Sequence, residues 1–96
     1  MIESISMEEF LKLSGDISII DIRSNQSYNN NHIPRAINVP YEKLLISPAS
    51  YLKANTRYYI YCQKGITSRK LVSILNRMGY HTMNIQGGYE EWIIKK

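Results

Sequence analysis

The chain reads as an α/β protein, a three-layer α/β/α arrangement with helices covering both faces of a parallel, roughly five-stranded sheet. Three observations predict it. Segments rich in β-branched and aromatic residues alternate along the chain with segments whose apolar residues recur at helical spacing. The connections between them are short, which favours neighbouring strands linked by crossover helices. The run Ile17-Ser-Ile-Ile-Asp-Ile22 is almost continuously apolar. That pattern suits a parallel strand buried on both faces better than a strand with one wet face.

Taken in order, residues 1–5 supply a short first strand. Ser6-Met-Glu-Glu9 is a capping box, in which the Ser6 hydroxyl takes the amide three residues on and Glu9 reaches back. Met7, Phe10 and Leu11 give the following helix an apolar stripe, and Gly15 is placed to end it. Residues 17–22 form the second strand. Residues 25–31 are polar, with Tyr28 as their one large anchor, and read as a short helix plus turn. The chain returns in a short strand at 36–39 and makes a helical turn or two at 41–46. A loop at 47–50 and a further turn at 51–53 follow. Arg57–Tyr61 is the central strand. Leu71, Ile74, Leu75 and Met78 then recur at helical spacing, predicting a helix over about 68–78 with Gly79 as its stop. Residues 80–85 give the last strand and Gln86-Gly-Gly88 a tight turn. The final helix begins at Tyr89, where Tyr89, Trp92 and Ile93 share a core-facing side.

Composition narrows the class of function. Ninety-six residues suit one domain spanning 1–96, and 44% hydrophobic with 21% charged residues argues against disorder and disulfide scaffolds. A single cysteine cannot make an internal disulfide and fits a reducing compartment. The acidic start is no signal peptide, and no run approaches the ~20 apolar residues of a membrane span. A cytoplasmic protein without membrane partners is expected. Net charge is +4 with a pI near 9.3, yet the basic residues are scattered rather than striped. Nucleic acid is therefore not an expected partner, whereas a positive field that steers small anions is.

The chemistry concentrates between the central strand and the helix after it. Six residues, Cys62-Gln-Lys-Gly-Ile-Thr67, join the two and open with the lone cysteine. A helix start collects unpaired N–H groups and the positive end of a macrodipole, which favour a thiolate and any anion bound beside it. Gly65 supplies the backbone freedom such a ring of amides needs. Asp21 and Arg23 stand at the strand end where open α/β sheets hold ligands. A carboxylate there can act as a base but also opposes ionisation of a nearby thiol, so a structural role is favoured. No second ligand stands at metal spacing from His32, which reads instead as a turn residue bonding backbone. No metal or other cofactor is expected.

Four stretches, in order and spanning nearly the whole chain, resemble the rhodanese family of sulfurtransferases. Asp21-Ile-Arg23 is similar to the family's Asp-Val-Arg. Tyr28 with His32-Ile-Pro34 and Ala36-Ile-Asn-Val-Pro40 is similar to its Gly-His-Ile-Pro-Gly-Ala-Ile-Asn-Ile-Pro segment. Cys62 through Thr67 matches its six-residue active-site loop, and Gly87-Gly88 with Trp92 its closing Gly-Gly and Trp. Asn31 and Arg35 replace the usual glycines, Ser27 stands where an acid commonly partners the Arg, and Gln63 replaces a frequent Arg.

The resemblance implies a single-domain thiosulfate sulfurtransferase. Cys62 would be the catalytic nucleophile, and Gln63, Lys64, Gly65, Ile66 and Thr67 would bind substrate, with Lys64 neutralising the incoming dianion. Asp21, Arg23, His32 and Ser68 would support the site. The sulfur donor would be thiosulfate or a protein persulfide, and the acceptor cyanide, a thiol or a thioredoxin-like protein. Two rival readings stay open. One is a non-catalytic docking or regulatory module of the same fold. The other is a phosphatase or arsenate reductase, which needs an Arg at the sixth position after the cysteine, here Ser68.

Overall fold

The computed structural model describes residues 3–96. Its strands are β1 (Ser4–Ile5), β2 (Ser18–Asp21), β3 (Ile37–Asn38), β4 (Arg57–Tyr61) and β5 (His81–Ile85). Its helices are α1 (Met7–Leu11), α2 (Asn25–Asn30), α3 (Tyr41–Ile46), α4 (Ile66–Arg77) and α5 (Gly88–Lys95), with a 3₁₀ turn at Pro48–Ser50. The strands form one all-parallel sheet in the order β1-β5-β4-β2-β3, as the apolar runs and short connections predict.

Side chains alternate across the central strands and so build two cores. Ile20, Tyr58 and Ile60 pack with Leu44 of α3 and with Leu71, Val72 and Leu75 of α4. Ile19, Tyr59 and Tyr61 pack on the opposite face with Met7 and Phe10 of α1 and with Tyr89 and Trp92 of α5. Leu71 and Leu75 are wholly buried, and truncating either to Ala would cost roughly 2–5 kcal/mol. Among the described residues no helix is long and apolar enough to cross a membrane.

Several boundaries differ from the sequence expectation, each for a local reason. Met1 and Ile2 of the expected first strand lie outside the described residues. The Ser6 hydroxyl caps Glu9 N at 3.1 Å, but the Glu9 carboxylate accepts from that hydroxyl rather than from the Ser6 amide. Helix α1 stops at Leu11, well before Gly15, because Lys12 and Leu13 bond back to Glu9 and Phe10 in tight i→i+3 turns. Proline-led residues 48–50, expected as plain loop, close a 3₁₀ turn on buried Pro48. Helix α4 begins at Ile66, inside the expected loop, because Gly65 at φ +86° turns the chain straight into helix. Its buried side is Ser68, Leu71, Val72 and Leu75, while Ile74 and Met78 face solvent. Ile93 is likewise exposed, leaving Tyr89 and Trp92 to anchor α5.

Candidate active site

The sheet order creates the place for a site. From β4 the chain steps outward to β5, and from β2 it steps the other way to β3. Loops leaving the C-terminal ends of β2 and β4 therefore diverge, and a crevice opens between them at this topological switch point. An open cleft of about 560 Å³ lies there. Ile22, Arg23 and Ser27 line it on the β2 side, and Cys62, Gln63, Lys64, Ile66 and Thr67 on the β4 side.

Cys62 follows the last residue of β4 and is 8% exposed. Its Sγ accepts from Gly65 N at 3.1 Å and from Ser68 N at 3.3 Å, and lies 3.2 Å from Ser68 Oγ. One of these amides comes from the loop and the other from the first turn of α4. The sulfur therefore rests against two backbone N–H groups where the loop turns into α4. Ile66 and Thr67 belong to the first turn of α4 and present exposed side chains to the cleft.

The loop is held from behind by α5. Tyr89 N donates to Cys62 O at 2.9 Å, and Glu90 N to Gln63 O at 3.1 Å, so two loop carbonyls satisfy amides at the start of that helix. Because a trans peptide sets N–H opposite C=O, the amides of Gln63 and Lys64 are turned away from α5. Gly65 and Gly88 permit this approach. A Cβ at Gly88 would stand 2.4 Å from Cys62 O, and one at Gly65 would stand 2.8 Å from Gly87 N.

Asp21 and Arg23 form a buried pair beside the loop. Arg23 donates from Nη2 to Asp21 Oδ2 at 2.8 Å, from Nε to both carboxylate oxygens at 3.1 Å, and from its own amide at 2.8 Å. Tyr61 Oη donates to Asp21 Oδ2 at 2.7 Å and accepts from Ile33 N at 3.1 Å. Burial and this bond to Asp21 both push the Tyr61 pKa up, so the phenol remains a donor. Burial pulls the Arg23 pKa down, but its hydrogen bonds to Asp21 and the Asp21 charge outweigh that and move it up. With its oxygens engaged by Arg23 and Tyr61, Asp21 anchors the site rather than standing free as a base.

With Ser27 in place of the acid that commonly partners the Arg, Arg23 draws its remaining support from other groups. Nη2 donates to Asn31 O at 2.6 Å, Nη1 to Gln63 Oε1 at 3.4 Å, and the guanidinium lies 4.0 Å over the Tyr89 ring. Support comes from a backbone carbonyl, an amide and an aromatic face. Gln63 in turn donates to Glu90 Oε2 at 3.3 Å. Away from the cleft lining, His32 Nδ1 is 2.9 Å from Tyr28 O and its ring stacks on Tyr28 at 3.8 Å. Among the described residues no three His, Cys, Asp or Glu side chains gather to hold a metal.

Sequence reading missed Tyr61, Tyr89 and Asn84. Asn84 is 1% exposed and accepts the Ser68 hydroxyl proton at 2.5 Å. A buried polar residue between Met83 and Ile85 was the available signal.

The rhodanese-like domain family model matches residues 6–95. The chain belongs to the rhodanese-like family. Its solved neighbours include the human single-domain sulfurtransferase TSTD1, at 25% identity and a TM-score of 0.87, covering 100% of this chain and 99% of that one. A rhodanese-like domain protein from Staphylococcus aureus aligns at 29% identity with a TM-score of 0.84, covering 95% and 91%. Among curated relatives, HIGH ARSENIC CONTENT 1, mitochondrial, of Arabidopsis thaliana is 31% identical over 77% of this rhodanese-like chain. The chain spans about half of that protein (51%) and 19% of the adenylyltransferase and sulfurtransferase uba4 of Ogataea parapolymorpha. The putative sulfurtransferase YtwF of Bacillus subtilis is 22% identical over 95% of this chain and 87% of its own length.

Proposed function

We propose that this rhodanese-like chain is a sulfurtransferase that carries one sulfane sulfur on Cys62 as a persulfide. The observation that carries the reading is Cys62 in the lining of the cleft, with the Gly65 and Ser68 amides donating to its Sγ. As a thiolate, Cys62 attacks the outer sulfur of thiosulfate. The new S–S bond forms as the old one breaks, and its electron pair leaves on sulfite. Cyanide or a thiolate then attacks the outer sulfur of the persulfide, taking that atom as thiocyanate or as a new persulfide and returning the Cys62 thiolate. The two half-reactions share no ternary complex, so ping-pong kinetics follow. Lys64 lies on the cleft wall and offsets the donor's charge.

The relatives' names support the class: a human single-domain sulfurtransferase and a putative bacterial one cover nearly the same length. Phosphate-ester chemistry is less well served. Position 68 holds a buried serine at the sulfur, and Arg69 points to solvent. A phosphate there would lack the bidentate guanidinium that suits it.

Intact mass after incubation with thiosulfate tests the proposal. The protein gains the mass of one sulfur atom, loses it on addition of a thiol or cyanide, and gains nothing as Cys62→Ser. A wild-type protein that never gains the mass from thiosulfate or a low-molecular-weight persulfide leaves the docking-module reading in its place.

A further inference from the structure

Ser68 and Asn84 are buried together behind the sulfur, at 0% and 1% exposure. Asn84 Nδ2 donates to Gly65 O at 3.4 Å, which fixes the side-chain amide so that Oδ1 faces Ser68. The Ser68 hydroxyl donates to that oxygen at 2.5 Å. A hydroxyl has one proton and two lone pairs. With its proton committed to Asn84, Ser68 turns a lone pair towards Cys62 Sγ, 3.2 Å away. A lone pair suits an S–H donor and opposes a thiolate, in contrast to the Gly65 and Ser68 amides, which favour the thiolate.

We propose that Asn84 is a positioning residue that acts on Cys62 through Ser68: by holding the hydroxyl proton it biases the sulfur towards its protonated form. When Cys62 ionises, the hydroxyl can swing to the sulfur only by giving up Asn84. Asn84 therefore sets how readily the sulfur is freed for attack, and through Gly65 O it also ties down the loop that supplies the opposing amide. The inference rests on the reading of Cys62 as the reacting sulfur. The charged and titratable groups around that sulfur are Arg23 from the end of β2, Lys64 in the loop, and Glu90 from α5 through Gln63. Asp21 and Tyr61 stand behind Arg23. All of them are unchanged by substitution at position 84, so a difference between variants reports on Asn84.

The experiment is the rate of Cys62 alkylation by iodoacetamide against pH for wild type, Asn84→Leu, Ser68→Ala and the double variant. Leucine frees the hydroxyl to turn to the sulfur but also makes the surroundings more apolar, which raises a thiol pKa. The Ser68→Ala background carries that second effect alone. The expected result is a midpoint lower by about one pH unit, a tenfold change in ionisation, for Asn84→Leu in the native background relative to the same substitution in Ser68→Ala. Equal shifts in the two backgrounds overturn the proposal. Should the leucine variant not fold, the S–H stretching band of wild type against Ser68→Ala decides. A thiol that donates to Ser68 absorbs at lower frequency than one that cannot, and coincident bands overturn the proposal. Neither readout needs sulfur transfer. A shift without sulfur uptake would sink the proposed function and leave Asn84's role standing, and uptake without a shift would do the reverse.

Discussion

Each polar side chain beneath the loop answers to a specific partner. Asp21 and Tyr61 are register partners of the parallel β2–β4 pair, so their side chains emerge on the same face. The phenol reaches the carboxylate that also holds Arg23. Replacing Tyr61 by Phe removes that donor and leaves Ile33 N without its acceptor, which should cost roughly 1–3 kcal/mol in urea titrations. The pH dependence has a definite sign. Because the folded Tyr61 binds its proton more tightly than the unfolded one, its contribution is fully present below about pH 10, the ordinary tyrosine value. Above that pH stability falls, since the unfolded chain loses the phenolic proton first. Tyr61→Phe should flatten that alkaline decline, and an equally steep decline in the variant would contradict the assignment. Asp21 and Arg23 were legible in the sequence as a pair at a strand end, but the tyrosine 40 positions away was not.

Among the elements, the decisive contact is between the start of α5 and the Cys62 loop. Both are built from glycines at positive φ, Gly65 at +86°, Gly87 at +81° and Gly88 at +61°, and backbone meets backbone there. Gly88→Ala must displace Cys62 O, and Gly65→Ala must displace Gly87 N. Each should lose at least about 1–3 kcal/mol of stability from the unfavourable backbone conformation alone. Each should also slow sulfur uptake from thiosulfate by an order of magnitude or more. Gly15→Ala is the control. Its φ is +85° but nothing lies within 4 Å of the added carbon, so it should lose stability without losing uptake. Comparable slowing in all three would show that general destabilisation, rather than loop geometry, governs the rate.

At the scale of the whole molecule, net charge and the cleft act together. The chain carries +4, and Lys64 is the exposed cation of the cleft, since Arg23 is buried and paired with Asp21. Capture of a dianionic donor should therefore weaken with ionic strength, because exposed charges are screened beyond about 8 Å at physiological salt. Lys64→Ala should raise the KM for thiosulfate several-fold, leave kcat within about twofold, and flatten the salt dependence. A fall in kcat with unchanged KM would place Lys64 in the transition state instead.

The sequence by itself determined the fold class, the order of the elements and the place of the lone cysteine in a glycine-containing loop between a strand and a helix. Those are local properties: periodicity, propensity and the position of a cysteine between a strand and a helix. Only the tertiary structure decided which face of α4 is buried, that α5 closes the loop from behind, and that Asn84 rather than a nearer residue takes the Ser68 proton. These depend on strand register and helix rotation, which bring together residues 16 to 40 positions apart. No repeating pattern in the chain records such pairings, because a hydrogen bond is chosen by distance and direction in space.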